Sequence, residues 1–515
     1  MAYGYVRVDR DQLFMLPPSM REWIPEDHFA WFLLDVVDQV DTAPFHARHH
    51  NDGAGRAAYD PDMMLALLLY AYCTGVRSSR RVERLCHTDL AYRVICANLV
   101  PDHRTIARFR AEHHEAIKGV FVGVLRLCGA AGLTTLATVA IDGTKMGADA
   151  ALDANRTSAA ITAEVEKIMA QAAGADAGED ALFGAARGDE LPAELGDRSS
   201  RLARLRSALD QITAQDADAQ AVRDAAHAQA QAAAAQGRKL RGRKPTGPAA
   251  AVARAEADLA AATVKVQASR ERRAAKAAEA AAAGRRVRGR QPGPDTTVQR
   301  AAAALAAAQA TAAAAPPAKA SVANVTDPES RIMKTADGFI QGYNAQAAAN
   351  EHQVVVGIGV TQQGNDVRQL VPMMSATSDQ LTTAGIDTVI DLLLADAGYW
   401  SEDNATAAGP DRLIATLKDW KQRRAAAELG TTTGPAPDGA GPAEAMEHRL
   451  RTTAGAASYA MRSHTVEPVF GNTKENQGYR RFMRRGLAAA QSEWALICSA
   501  HNLQKLYRHG SPTPA

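Results

Sequence analysis

Cysteine is scarce in this chain of 515 residues. Its five cysteines, Cys73, Cys86, Cys96, Cys128 and Cys498, are scattered and form no CxxC pair. That excludes a disulfide framework and a thiolate zinc site. Aromatic residues make up only 5%, so a large core must rest on aliphatic side chains. No apolar run reaches the ~18 residues that a membrane span needs. The segment MAYGYVRVDRDQLFMLPPSM lacks the charged-then-apolar pattern of a signal peptide. A soluble cytoplasmic protein with no membrane partner is expected. An excess of one charge is missing too: 59 basic residues face 57 acidic ones, so any basic surface must be local. Gly342-Tyr343-Asn344 lacks the context of a phosphate loop, and no nucleotide cofactor is expected. His464 and His501 have no partner at a metal-ligand spacing.

What is present divides the chain into three parts. Residues 1–130 read as short helices with tight joints, as in small DNA-binding helical domains. Asp60-Pro61 is a helix start and Gly75 a stop. Between Val76 and Arg110, eight arginines face three acids. This charge fits phosphate binding and fits a solvated helical face equally well. Thr105, Arg108 and Arg110 share one short helix and are the candidates for DNA contacts. Residues 131–155 and 321–510 read as mixed α/β. Five strands are predicted in TTLATVAID, FIQGYNAQ, QVVVGIGV, TVIDLLLAD and LIATLK, forming one mixed sheet with the first and fourth adjacent and parallel. Residues 421–447 read as a Gly/Pro/Ala-rich linker.

Residues 156–320 interrupt that pattern. Alanine dominates, and Leu202, Leu205, Leu209 and Ile212 recur at helical spacing, as do Val252, Leu259 and Val266. Helices over about 197–236, 249–283 and 295–314 would pack as a hairpin through a thin alanine seam. A repeat marks the joints: 237–245 matches 284–292 at an offset of 47. Each copy carries an Arg-Gly-Arg, at Arg241 and Arg243 and at Arg288 and Arg290. These have a form suited to a narrow minor groove, although soluble basic turns would look the same.

Three carboxylates stand out by position. Asp142 ends one predicted strand, Asp396 ends another, and Glu467 opens a predicted helix. Two hard divalent cations held close together need such shared oxygen ligands. After Glu467, Lys474–Arg485 holds five basic residues and one acid. Basic side chains at Lys474, Arg480, Arg481 and Arg484, interleaved with Tyr479, suit an unpaired DNA end; a solvated helix is the alternative.

These residues sit in stretches that resemble the bacterial insertion-sequence DDE transposases, in the group with a catalytic domain split by a long helical insertion. The matching stretches are DHRTIARFR at 102–110, AIDGTKMGADAALDANRT at 140–157, TDPESRIMKTADGFIQGYNAQAA at 326–348, LADAGYWSEDN at 394–404 and VEPVFGNTKENQGYRRF at 466–482. The resemblance implies an RNase H-like α/β fold. It also implies two Mg²⁺ ions, with Mn²⁺ able to substitute, held by Asp142, Asp396 and Glu467. The partners it implies are element terminal inverted repeats and target DNA, bound by a homodimer in a synaptic complex at the nucleoid. The family signature around the glutamate maps to Tyr459, Arg462, Glu467 and Lys474. Four residues separate Arg462 from Glu467, where the commonest form has three. A nuclease of similar fold that does not join ends, or a silent DNA-binding derivative, would share these features.

Overall fold

The computed structural model describes residues 19–47, 58–183, 193–239, 247–284, 296–316 and 320–510. The Arg-Gly-Arg joints at Arg241, Arg243, Arg288 and Arg290 lie outside the described residues. The chain divides into two compact units, 1–155 with 324–515, and 156–323.

In the first unit, helix ends follow the capping residues. Asp60 accepts from the Asp62 N–H to start Pro61–Cys73, and Gly75 ends it at φ +73°. Asp102 accepts from the Arg104 and Thr105 N–H groups to start His103–Glu112. The chain breaks at His113 before His114–Ala130. Pro61–Cys73 is buried almost all round, from Met64 to Cys73. The N-terminal helices do not stand apart. They share one core with the helix Leu487–Gly510, where Gln504 donates to Cys73 O at 2.7 Å and Phe29 lies edge-on to Tyr507.

Eight strands are described: β1 Thr138–Gly147, β2 Asn155–Thr157, β3 Val322–Asn324, β4 Arg331–Thr335, β5 Gly338–Asn350, β6 Val355–Thr361, β7 Leu392–Ala395 and β8 Asp411–Ile414. The main sheet runs β4-β5-β1-β7-β8, with β6 also on β5. β4 pairs the first part of β5 and β6 the later part, so they follow one another along the same edge. β1 is parallel to β7, as expected, and antiparallel to β5. The sheet has six strands rather than five. The addition, β4, is a short arm in which exposed Ile332 and Lys334 alternate with buried Met333, a pattern with too few apolar residues to stand out. β2 and β3 form a separate two-stranded pair. The expected linker at 421–447 instead carries helices Asp419–Leu429 and Pro442–Leu450.

The Leu487–Gly510 helix is tied to the sheet by polar groups as well as apolar packing. Buried Trp494 donates from its indole N–H to Gln346 O at 2.9 Å. The Asn502 amide exchanges two 2.8 Å bonds with the Val355 backbone.

Among the described residues the second unit holds four helices, Ser158–Phe183, Ala193–Ala235, Pro248–Ala282 and Thr296–Ala313, each packed on the next. The first of these is an addition to the expected three. Its alanine-rich sequence carries too weak a periodicity to mark it. The seam between the second and third helices is built from buried Ala230, Ala234, Ala257 and Ala261. Val252, Leu259 and Val266 are only half-buried. Small side chains take the tightest positions because they let the helix backbones approach.

Candidate active site

β1 is central in the sheet, and Asp142 lies in its middle rather than at its end. The strand continues through Gly143, Thr144 and Lys145, paired with Gln346, Ala345 and Asn344 on β5. On the other side, Ile141 pairs with Ala395, so Asp142 and Asp396 are the next residues of two parallel neighbours. Asp396 directly follows the last residue of β7, and its Oδ1 accepts from the Gly398 N–H at 2.9 Å. Glu467 lies inside the helix Arg462–Gly471, not at its start, and that helix packs on β1 and β5.

Arg462 joins two of these acids. Its guanidinium donates to Asp142 Oδ2 at 2.7 Å and to Glu467 Oε1 at 2.9 Å, and its side chain is only 8% exposed. Pro468, next to Glu467, has no N–H to give the His464 carbonyl, which accepts instead from Gln353 at 2.9 Å. The helix then widens into a π-helical turn, Asn472–Asn476, a feature frequent at functional sites. Lys474 on that turn donates to Lys145 O at 3.2 Å, and burial, then Arg480, lowers its pKa.

Sequence reasoning missed Asp366. It follows β6 and accepts from Asn344 at 2.6 Å, Gln346 at 2.9 Å and Lys145 at 3.3 Å. The only signal was an acid a few residues beyond a third strand, and turns favour Asp for ordinary reasons. Gly143 makes room for it: a Cβ there would lie 2.2 Å from Gln346 Nε2 and 2.5 Å from Asp366 Oδ1.

The expected DNA contacts fall into two groups. Arg108, Arg480 and Arg481 are exposed; Arg480 pairs with Glu475 at 2.5 Å and Arg481 with Asp149 at 2.8 Å. Tyr459 is half-buried and lines a cavity of about 230 Å³ with Arg462, Ser463 and Glu467. The others have structural duties. Tyr479 is fully buried and donates to Tyr72 O, so it offers DNA no ring face. Buried Arg110 donates to Tyr72 Oη at 3.3 Å and Arg77 O at 3.1 Å. Arg484 is half-buried and donates to Ser492 at 3.0 Å. The Thr105 hydroxyl bonds Asp102 at 2.7 Å and completes a helix cap. Arg462 serves the carboxylates. His501 lies buried between Asn472 and Gln353 O, and burial pushes it down to about 4, so it is a neutral structural histidine.

Comparison with known families adds to this geometry. Residues 18–112 match the family described as Transposase domain (DUF772), and residues 432–507 match the Transposase DDE domain. These two matches support an insertion-sequence DDE transposase. No curated protein and no solved structure matches it. The second match holds Tyr459, Arg462, Glu467 and Lys474, while Asp142 and Asp396 lie outside both.

DDE transposase domains use divalent metal ions. The donors here suit a hard cation: Asp142, Asp366, Asp396 and Glu467 are all-oxygen ligands. Among the described residues, the group of metal-type ligands within 4.8 Å of one another is His46, Asp60 and Asp62, so Asp142, Asp396 and Glu467 are spread more widely.

Burial pushes the Asp142 carboxyl up to about 7; Arg462 opposes this, and Asp396 and Asp366 add to it. A carboxyl raised in the fold favours the folded state below its ordinary pKa of ~4 and loses that contribution as pH rises through the folded value. The metal-free protein should therefore lose stability between about pH 4 and 7. Asp142→Asn, a neutral mimic, should show a flatter profile. Thermal denaturation in chelator across that range checks this; parallel profiles would refute the shift.

Proposed function

We propose that this transposase cuts DNA at the ends of its element and joins the freed 3′-OH to target DNA. One observation carries the reading: Asp142 and Glu467 share one guanidinium while Asp396 occupies the next position on the neighbouring parallel strand. The three parallel strands β1, β7 and β8, with β5, β4 and β6 in antiparallel pairing on the other side of β1, support an RNase H-like catalytic domain. In this reading Asp142, Asp396 and Glu467 hold two Mg²⁺ ions. The ions, when bound, activate the attacking oxygen and offset charge on the leaving oxygen.

The chain itself supplies position. Arg462 fixes the carboxylate rotamers of Asp142 and Glu467. Lys474 and Lys145 place positive charge beside the acids, where a scissile phosphate is attracted and aligned. Water first displaces the 3′ oxygen from phosphorus in line, and the freed 3′-OH then attacks a target phosphodiester. A homodimer would bring two element ends together. Full-length protein, Mg²⁺, DNA carrying the flanking inverted repeats and supercoiled target should give a joined product. Cut ends without joining would leave a nuclease.

DNA binding follows from the transposase family, and five exposed arginines supply a surface for it. Arg80, Arg81 and Arg84 lie on Ser79–Thr88, and Arg104 and Arg108 on His103–Glu112. His103 and Glu83, 2.8 Å apart, join the two helices. Replacing Arg81, Arg84 and Arg108 by Ala should weaken binding to end DNA. The log–log salt slope should become shallower by about 0.9 for each phosphate that is no longer neutralised. An unchanged slope would remove this face from the DNA interface.

A further inference from the structure

We infer that Asp366 is a fourth carboxylate of the metal centre, holding a divalent cation jointly with Asp396, with Lys145 as the internal cation beside it. This rests on the reading of Asp142, Asp396 and Glu467 as metal ligands. The two oxygens of Asp366 have different surroundings. Oδ1 is saturated by Asn344, Gln346 and Lys145. Among the described residues, Oδ2 has only a long 3.5 Å approach to Lys145 as a hydrogen bond. Oδ2 turns instead toward Asp396. A Cβ on Gly398 would lie 2.9 Å from Asp396 Oδ1 and 3.5 Å from Asp366 Oδ2, so both oxygens border the same small space.

Two glycines make this seat. Gly143 follows Asp142, and Gly398 lies two residues after Asp396. A side chain on Gly143 would collide with Asp366, and one on Gly398 would crowd Asp396 and meet Asp366 at ordinary contact distance. Asp366 thus sits against the backbone of both aspartate-bearing segments. Its backbone anchors it independently, since its carbonyl accepts from the Gln369 N–H at 2.8 Å ahead of Leu370–Thr383. A purely structural role would need only Oδ1, which an asparagine supplies as well. The outward oxygen beside a second carboxylate is the part that such a role leaves unused. Like charges at this range repel unless a cation lies near both. Lys145 supplies one positive charge, and its side chain is 16% exposed against 21% for Asp366.

Titrating the full-length protein with Mn²⁺ tests the assignment. Calorimetry gives affinity and the paramagnetic resonance of free Mn²⁺ counts bound ions. Wild type should bind two. Asp396→Asn and Asp366→Asn should each weaken binding of one ion by roughly tenfold or more. Lys145→Gln should bind at least as tightly as wild type, because its ammonium no longer competes for Asp366. If Asp366→Asn binds as wild type while Asp396→Asn does not, Asp366 is not a ligand. If Asp396→Asn also binds as wild type, the three-acid reading itself fails and takes this one with it. A second measurement needs no variant. Fe²⁺ with peroxide and ascorbate cuts a backbone beside the bound ion, and wild-type protein should be cut near 142, 366 and 396. Cuts near 142 and 396 without one near 366 would overturn the inference even if Asp366→Asn fails to fold.

Discussion

Asp142→Asn should abolish strand cleavage, a loss on the order of a thousandfold or more, since the assignment makes each acid responsible for several kcal/mol of charge stabilisation at phosphorus. Asp396→Asn and Glu467→Gln should do the same. Asp142 is the most sensitive of the three: it lies in the central strand, bonded to Arg462 and next in register to Asp396. Asn keeps its size and one accepting oxygen. Binding to end DNA should persist, because the exposed arginines of the N-terminal helices are untouched. A cleavage assay paired with a gel-shift assay at one salt concentration reads both. Retained cleavage by any one variant would remove that residue from the site.

The largest stability effect is expected at Glu493. Its side chain is fully buried, and its Oε2 accepts from the Met483 N–H at 2.9 Å. Burial pushes its carboxyl up, while Arg110, Arg77 and Arg484 oppose that shift. Arg77 lies 3.9 Å from Oε1 and its guanidinium covers the Tyr479 ring. Glu493→Ala would leave three arginines facing one another without an acid. Removing one partner of a buried ionic group costs about 3–5 kcal/mol, a fall in melting temperature of roughly 5 °C for a unit this large. Glu493→Gln keeps the shape and should cost less. Adding Arg484→Met to Glu493→Gln should restore part of the loss, a coupling that simple loss of packing would not produce. Melting at the wild-type temperature would mean that this acid does not hold the arginines.

The same cluster explains why some of the site was illegible from sequence. Arg110 and Tyr479 look like DNA ligands because both lie in basic stretches. Both are buried against Tyr72, which lies on the helix Pro61–Cys73, far from either in sequence. Asp142, Asp396 and Glu467 can be proposed from sequence because all three lie in stretches that resemble the transposase family and the two aspartates follow apolar runs. Asp142-Gly143 read as a strand end, since Asp-Gly favours turns. Here Gly143 serves close approach by Gln346 and Asp366, so the strand runs on. Asp366 could not be recovered because its meaning lies in two other strands. The parallel pairing of β1 and β7 was legible from two buried runs, whereas β4 had too little apolar content to show.

The Leu487–Gly510 helix has a consequence for how the protein comes to exist. The N-terminal helices pack on it, and Trp494 and Asn502 hold it to β5 and β6. A ribosome releases residues 19–130 long before it makes this helix. At ~5–20 residues per second, synthesis of the intervening chain takes on the order of tens of seconds. Throughout that time Pro61–Cys73, apolar on nearly every side, lacks its permanent neighbour. A nascent chain stalled before residue 487 should therefore be bound by holdase chaperones, and release past 510 should let it go.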